Sequence, residues 1–263
     1  MGVELKAIAV DAQNYPPELR PVLRNAKVFD SSCSSVAKVI FIEKGQGYFL
    51  KTAAKGALER EVLLTKHFCG LGLSTNVLQY ISSDADWMLT EKIVGDNCIA
   101  PKYLEQPKRL CDTLAELLSK LHTMHFADCP IKNHSQLFFE SAETSFLAGA
   151  YDKLMGKEIW DDAQPREIFE IAKLGRHMLQ NDTLLHGDFC LPNVILDNWR
   201  FSGYIDLDTA GVGDRHVDIF WALWTLKFNL KTDKYRQRFI DAYGRGKVDD
   251  ERLRIVAAFE VFG

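Results

Sequence analysis

The stretch Leu184–Asp208, LLHGDFCLPNVILDNWRFSGYIDLD, crowds a histidine, aspartates and asparagines into a segment that is otherwise mostly apolar. Such residues either cap turns and satisfy buried backbone, or hold a ligand with much negative charge. Asp188 and Asn193 stand five residues apart across a turn containing Pro192, and Asp206 follows a short strand, Gly203-Tyr204-Ile205. Phosphoryl transfer needs little covalent chemistry from a protein. It needs a carboxylate to orient or deprotonate the incoming hydroxyl, oxygen ligands for Mg2+, and a cation on the nucleotide phosphates. The pattern HxDxxxxN…IDxD supplies the first two, with Asp188 as base and Asn193 and Asp206 as magnesium ligands.

Outward from this segment the chain changes texture once. PPELRPVLRN (16–25) reads as a short helix opened by prolines. VAKVIFIEK (36–44) and GYFLKTA (47–53) read as strands joined by a glycine-flanked turn. ALEREVLLTKHFC (57–69) spaces Leu58, Val62, Leu63 and Phe68 as a helix, and Gly70-Leu71-Gly72 ends it. NVLQYISS and DWMLTEKI follow as two further strands. After Gly95, KRLCDTLAELLSKLHTMH (108–125) carries an apolar stripe at helical period, and helical patterns continue at 135–155, 165–179 and through the last fifty residues. The expectation is an α+β, bilobal, protein-kinase-like fold. Residues 1–92 form a small antiparallel-sheet lobe with a hinge at its end, and 93–263 form a larger, mainly helical lobe.

Composition bounds the function classes. With 263 residues, 47% hydrophobic and 26% charged, the chain has ample material for a core, and no window approaches a membrane span. A net charge of −4 and the absence of a basic stripe with interleaved aromatics argue against a nucleic-acid surface and suit a cationic small molecule. Six scattered cysteines without CxxC spacing, and no signal peptide, point to thiols in a reducing cytoplasm.

HGDFCLPNV followed by FSGYIDLDTAGVGDRHVDI resembles the signature of the aminoglycoside phosphotransferases, most closely their 3′-phosphotransferase branch. PPELRPVL, the serine-rich loop before AKV, YFLK, LEREV and LAELLSKLH fall in the expected order, so the resemblance covers nearly the whole chain. It implies ATP or GTP as phosphate donor, Mg2+, and an aminoglycoside acceptor. Lys51 becomes the strand lysine on the phosphates and Glu61 its helix partner, with Glu59 as the alternative. Ser35 in the loop 30–38 would meet phosphate oxygens. Main-chain groups near Thr90 and Lys92, in the hinge 88–95, would meet the purine, and Phe49 would stack on it. Glu158, Asp161, Asp162 and Glu260 are the candidate carboxylates for the cationic acceptor.

Other polar residues read as structural: His186 as a brace of the catalytic turn, Asp218 as a helix cap supporting it, and His122 as a helix-end histidine. Trp221 and Trp224 read as core. The chain departs from the branch at two places. IDLDT puts Thr209 where the branch commonly has arginine and adds Asp208, and Phe259 stands where an acid is expected. Two readings therefore stay beside the antibiotic kinase: a kinase of a small metabolite alcohol, and a catalytically inactive binding module. Cys190, where protein kinases carry lysine, and the short remainder after Asp208 disfavour a protein kinase.

Overall fold

The computed structural model of the protein describes residues 6–32, 36–161 and 163–263. Its contacts divide the chain into two compact units. The first is built from residues up to Pro101 together with Pro192–Asp208, and the second from Lys102–Leu191 and Thr209–Gly263.

The first unit holds a six-stranded sheet: β1 (Lys6–Ile8), β2 (Lys27–Asp30), β3 (Lys38–Glu43), β4 (Tyr48–Ala54), β5 (Val77–Ser82) and β6 (Ala85–Glu91), in the order β1-β2-β3-β4-β6-β5. Every neighbouring pair is antiparallel, as expected for successive hairpins. Because side chains alternate across a strand, the sheet sorts its residues onto two faces. Ile40, Ile42, Leu50 and Leu89 pack with Leu19, Leu23 and Val28 in one core. Leu19 and Leu23 come from the proline-opened segment, a 3-10 turn at Pro17–Leu19 running into α1 (Arg20–Leu23). Met88, cross-strand partner of Lys51, packs with Val77, Leu58 and Val62, so α2 (Glu59–Gly70) covers the opposite face.

The buried face of α2 runs from its N-cap Leu58 through Glu61, Val62, Leu64, Thr65 and Phe68, and Leu63 points outward. Leu63 thus leaves the apolar stripe predicted for it. At about 100° per residue, a face through 58, 61–62, 65 and 68 excludes position 63. A second, three-stranded sheet in this unit has the order β10-β9-β7, with β7 Asp96–Asn97, β9 Val194–Asp197 and β10 Arg200–Tyr204.

The second unit is mainly helical: α3 (Pro101–Leu104) at its start, α4 (Pro107–Leu121), α5 (His134–Leu147), α6 (Lys153–Trp160), α7 (Pro165–Gly175), α8 (His216–Leu230), α9 (Arg236–Tyr243) and α10 (Asp250–Glu260). A two-stranded ladder, β8 (Thr183–Leu185) with β11 (Gly211–Gly213), frames the turn that carries Asp188. The single helical pattern read at 135–155 is two helices. Gly149, at φ +70, ends the first, and Asp152 caps the second by accepting from the amides of Leu154 and Met155. Strands β1, β2, β7 and β11 had no reading of their own, being only two to four residues long. Among the described residues no helix is long and apolar enough to cross a membrane, and no disulfide joins the described cysteines.

Candidate active site

In the first unit the sheet and the β9–β10 hairpin converge on one lysine. Phe49 and Lys51 project from the same face of β4, two residues apart, as the strand period requires. α2 crosses that face, and its first turn delivers Glu61 to Lys51: Nζ lies 2.7 Å from Oε2. Glu59, the alternative partner, is exposed. The same ammonium lies 2.7 Å from Oδ1 of Asp206. Hairpin geometry accounts for Asp206. β9 and β10 meet at a two-residue loop, Asn198-Trp199, with φ positive at both positions, the signature of a type I′ turn. Chain closure then sets Val194 against Tyr204, and the Ile205 amide donates to the Asn193 carbonyl at 3.1 Å. Asn193 and Asp206, thirteen residues apart in sequence, are thereby neighbours. Asp206 itself sits in the left-handed region at φ +61, a conformation aspartate tolerates better than most residues.

The electrostatics of this triad are uneven. The Lys51 and Glu61 side chains are buried, 17% and 5% exposed, whereas that of Asp206 is half exposed. Burial pushes the Glu61 carboxyl up to about 7 against the pull of Lys51. Burial would lower the Lys51 ammonium, but the two carboxylates overcome this and raise it. Lys51 is therefore a fixed positive charge beside a carboxylate open to solvent.

Thr90 lies inside the sheet, opposite Phe49 and Val77, and is buried. The Lys92 amide donates to the Gly47 carbonyl at 3.0 Å, and its ammonium lies 5.5 Å from the centroid of the Phe41 ring, which itself packs against Phe49. Ser35 and Asp162 lie outside the described residues.

In the second unit the turn carrying Asp188 is pinned from α8. Both oxygens of Asp218, in the first turn of that helix, accept main-chain N–H groups of the turn: Oδ2 from His186 and Oδ1 from Gly187, each at 2.8 Å. Gly187 has φ +87, and a Cβ there would stand 2.2 Å from the Thr209 carbonyl oxygen, so only glycine fits. The Asp188 amide donates to Nδ1 of His186 at 3.3 Å, and the Leu191 amide to the Thr225 hydroxyl at 3.2 Å. His186 and Asp218 are thus supports of the turn, as expected, but Asp218 does so from within the first turn of α8 and does not cap that helix, whose N-cap is Arg215. Cys190 hydrogen-bonds the Asp188 and Thr225 side chains, and burial together with the Asp188 charge pushes its thiol far up. It is an uncharged neighbour of the aspartate.

Glu260, at the end of α10, is buried within electrostatic reach of Asp188 and accepts a hydrogen bond from Trp221. Burial first, then the Asp188 charge, raise its carboxyl well above the usual range, against the Trp221 bond. Trp221 and Trp224, read as core, are only half buried. Phe259 is fully buried and stacked on Phe138 at 4.8 Å, which explains an apolar residue where the branch has an acid. Glu158 lies exposed on α6, and Asp161 is exposed at its end with φ +50. Their helix is tied to the end of α10, since the Asp152 amide donates to the Val261 carbonyl at 2.7 Å. Glu158 also lines a cavity of about 390 Å³ walled by Trp160, Phe220, Trp224 and Tyr235.

Reading along the chain did not single out Thr225, Arg215 or Tyr243, which support the turn from α8 and α9. Their partners lie 28 to 121 residues away, beyond any local pattern.

Comparison with known proteins bears on the family and the fold. Residues 29–256 match the model of a family described as "Phosphotransferase enzyme family". A probable aminoglycoside 3′-phosphotransferase of Lactococcus lactis subsp. lactis is 47% identical over 262 residues, covering 98% of this chain and 99% of the relative. Among solved structures, an aminoglycoside 3′-phosphotransferase of type VIII superposes with a TM-score of 0.75 at 22% identity, covering 98% of this chain and 94% of the other. An aminoglycoside phosphotransferase from Streptomyces rimosus, solved with ADP and streptomycin, gives a TM-score of 0.70 at 20% identity and covers 86% and 91%. A lysine held between a helix glutamate and a hairpin aspartate, a pinned HGD turn and a match across most of the sequence lead to one conclusion: the chain belongs to the phosphotransferase enzyme family.

Proposed function

We propose that the protein uses ATP or GTP to phosphorylate a hydroxyl of an aminoglycoside, the 3′ one, and so inactivates the antibiotic. The observation that carries this reading is Lys51 held 2.7 Å from both Glu61 and Asp206 in a chain 47% identical to a probable aminoglycoside 3′-phosphotransferase. Lys51 is the cation for the nucleotide phosphates. Glu61 keeps it oriented, so that little rotamer freedom is lost on binding. Phe49 offers a ring face to the purine, and the segment at Thr90 and Lys92 its hydrogen-bonding edge. Since the Lys92 amide already serves Gly47, its carbonyl is the group assigned to the base. The loop around Ser35 is assigned to the phosphates. Residues 1–92 are the nucleotide-binding lobe, and 93–263 carry the catalytic turn and the acceptor carboxylates.

Asn193 and Asp206 suit Mg2+. Among the described residues no group of three or more His, Cys, Asp or Glu forms a closed cage. A hard cation that keeps waters and substrate phosphates needs only one or two protein oxygens, and the half-exposed Asp206 carboxylate beside Asn193 supplies such donors. Bound there, the ion would neutralise charge developing on the transferred group. Asp188, on its pinned turn, orients the acceptor hydroxyl and takes its proton. Glu158, Asp161 and Asp162 supply negative charge to a polycationic acceptor, and Glu260, which burial shifts toward its uncharged form, joins them as a carboxyl that a bound cation would draw back to its charged form. A reducing cytoplasm is the compartment this reading assigns.

The test is nucleoside diphosphate release by the purified protein with Mg2+ across kanamycin, neomycin, amikacin and tobramycin, the last of which lacks a 3′-hydroxyl. Turnover with kanamycin and none with tobramycin is expected. Silence across the panel with nucleotide still bound would overturn the antibiotic assignment in favour of a metabolite alcohol.

A further inference from the structure

A chain of side chains with no place in the reaction leads from α9 to the turn that carries Asp188. His122, at the end of α4, and Asp218 both have side chains almost wholly buried. Nε2 of His122 lies 3.0 Å from Oδ2 of Asp218, the oxygen that also accepts the His186 amide. Nδ1 lies 2.7 Å from the Tyr243 hydroxyl, the last residue of α9. The direction of each bond follows from its end members. Both Asp218 oxygens accept main-chain N–H groups, so the carboxylate takes a hydrogen from Nε2. Arg215 hydrogen-bonds the Tyr243 oxygen, and a guanidinium can only donate. With the hydrogen of a neutral ring on Nε2, Nδ1 has only a lone pair, and the tyrosine hydroxyl donates to it. His122 is a neutral ring in one tautomer, consistent with burial holding it below the ordinary histidine range against Asp218, with Arg215 and His216 as the nearby groups opposing its charge.

We propose that Tyr243 is a positioning residue for phosphoryl transfer, acting through His122 and Asp218 on the main chain that holds Asp188. Among the described residues its hydroxyl is the donor aimed at Nδ1 of His122, and with it the ring has one orientation. Without it Nδ1 is buried with no donor, the ring can turn, and Oδ2 of Asp218 loses a partner it shares with the His186 amide. The consequence reaches the reaction because turns that hold a catalytic base tolerate little displacement.

This inference rests on Asp188 being the base, so its test has arms that do not depend on turnover. In Tyr243→Phe, kcat should fall about tenfold with KM for nucleotide and acceptor unchanged, the pattern of a misplaced rather than missing group. Amide exchange at His186 and Gly187 should accelerate, and the ring 15N signals of His122 should shift. Phe239→Leu is the packing control, since Phe239 stacks on the Tyr243 ring and brings no polar side-chain atom to the relay. It should lower Tm while leaving kcat, the two amides and the His122 signals unchanged. Unaltered exchange at His186 and Gly187 in Tyr243→Phe would overturn the proposal. So would equal losses of kcat in both variants at equal losses of Tm. If the wild-type protein turns over no acceptor, the role of Asp188 fails while exchange and 15N shifts still decide the relay.

Discussion

The two polar constellations of this molecule are built on opposite principles. Around Lys51 the currency is charge: an ammonium touches two carboxylates, one buried and one half exposed. Around the Asp188 turn it is hydrogen bonding to main chain. Asp218 accepts two amides, Thr225 a third, and the neighbours Cys190, His122 and Glu260 are shifted toward their uncharged forms. The difference matches the tasks assigned to them. A group that meets phosphates and a metal must carry net charge near solvent. A base must be held in one place, and neutral buried hydrogen bonds do this without long-range repulsion.

That contrast can be broken by mutation, and the largest effects separate its two halves. Asp188→Ala should lower kcat by about three orders of magnitude or more while leaving nucleotide affinity nearly unchanged. Asp206→Ala should instead abolish Mg2+-dependent nucleotide binding, read by calorimetry. If the two variants lose the same property, the division of labour is wrong. Next in size, Asp218→Ala leaves two buried amides and His122 without their acceptor and should cost about 3–5 kcal/mol of stability in denaturant unfolding. A loss below about 1 kcal/mol would mean that the turn holds itself.

Thr225→Val keeps the shape but orphans the Leu191 amide, and should cost about 1–3 kcal/mol. The last effect, read as a pH dependence rather than as a loss, concerns Glu61. Its folded-state carboxyl is raised to about 7, above the ordinary value of 4.5, so between these values the folded protein holds more protons than the unfolded chain. Its contribution to stability is complete below about 4.5 and declines as pH rises through about 7. The stability of the wild type relative to Glu61→Gln should therefore fall across that window. A difference that rises with pH would show that Lys51, not burial, governs Glu61.

The same contrast explains what could be read along the chain. Strands β3 to β6, helices α2 and α4, and the HGD and IDxD segments announce themselves by period and spacing over a few residues. Glu61 is named as the partner of Lys51, with Glu59 as the alternative, through the family resemblance, since a strand lysine ten residues before a helix glutamate is by itself most often a surface pair. Leu63 was misplaced because an apolar residue can satisfy a loose helical pattern without facing the core. The join between 135 and 155 was missed because one glycine looks tolerable inside a helix until its φ is known.

By itself the sequence determined the strand and helix periods, the polar chemistry available at Asp188, Asn193 and Asp206, and the order in which these segments follow one another. Tertiary structure alone decided which of them meet. It put Asp206 on Lys51 across 155 residues, withdrew Phe259 into the core, and joined Tyr243, His122 and Asp218 into one line behind the turn that carries Asp188. The physical reason is range. Backbone sterics and side-chain period act within a turn or a strand, whereas a hydrogen bond between distant helices exists only once a core has fixed the distance between them.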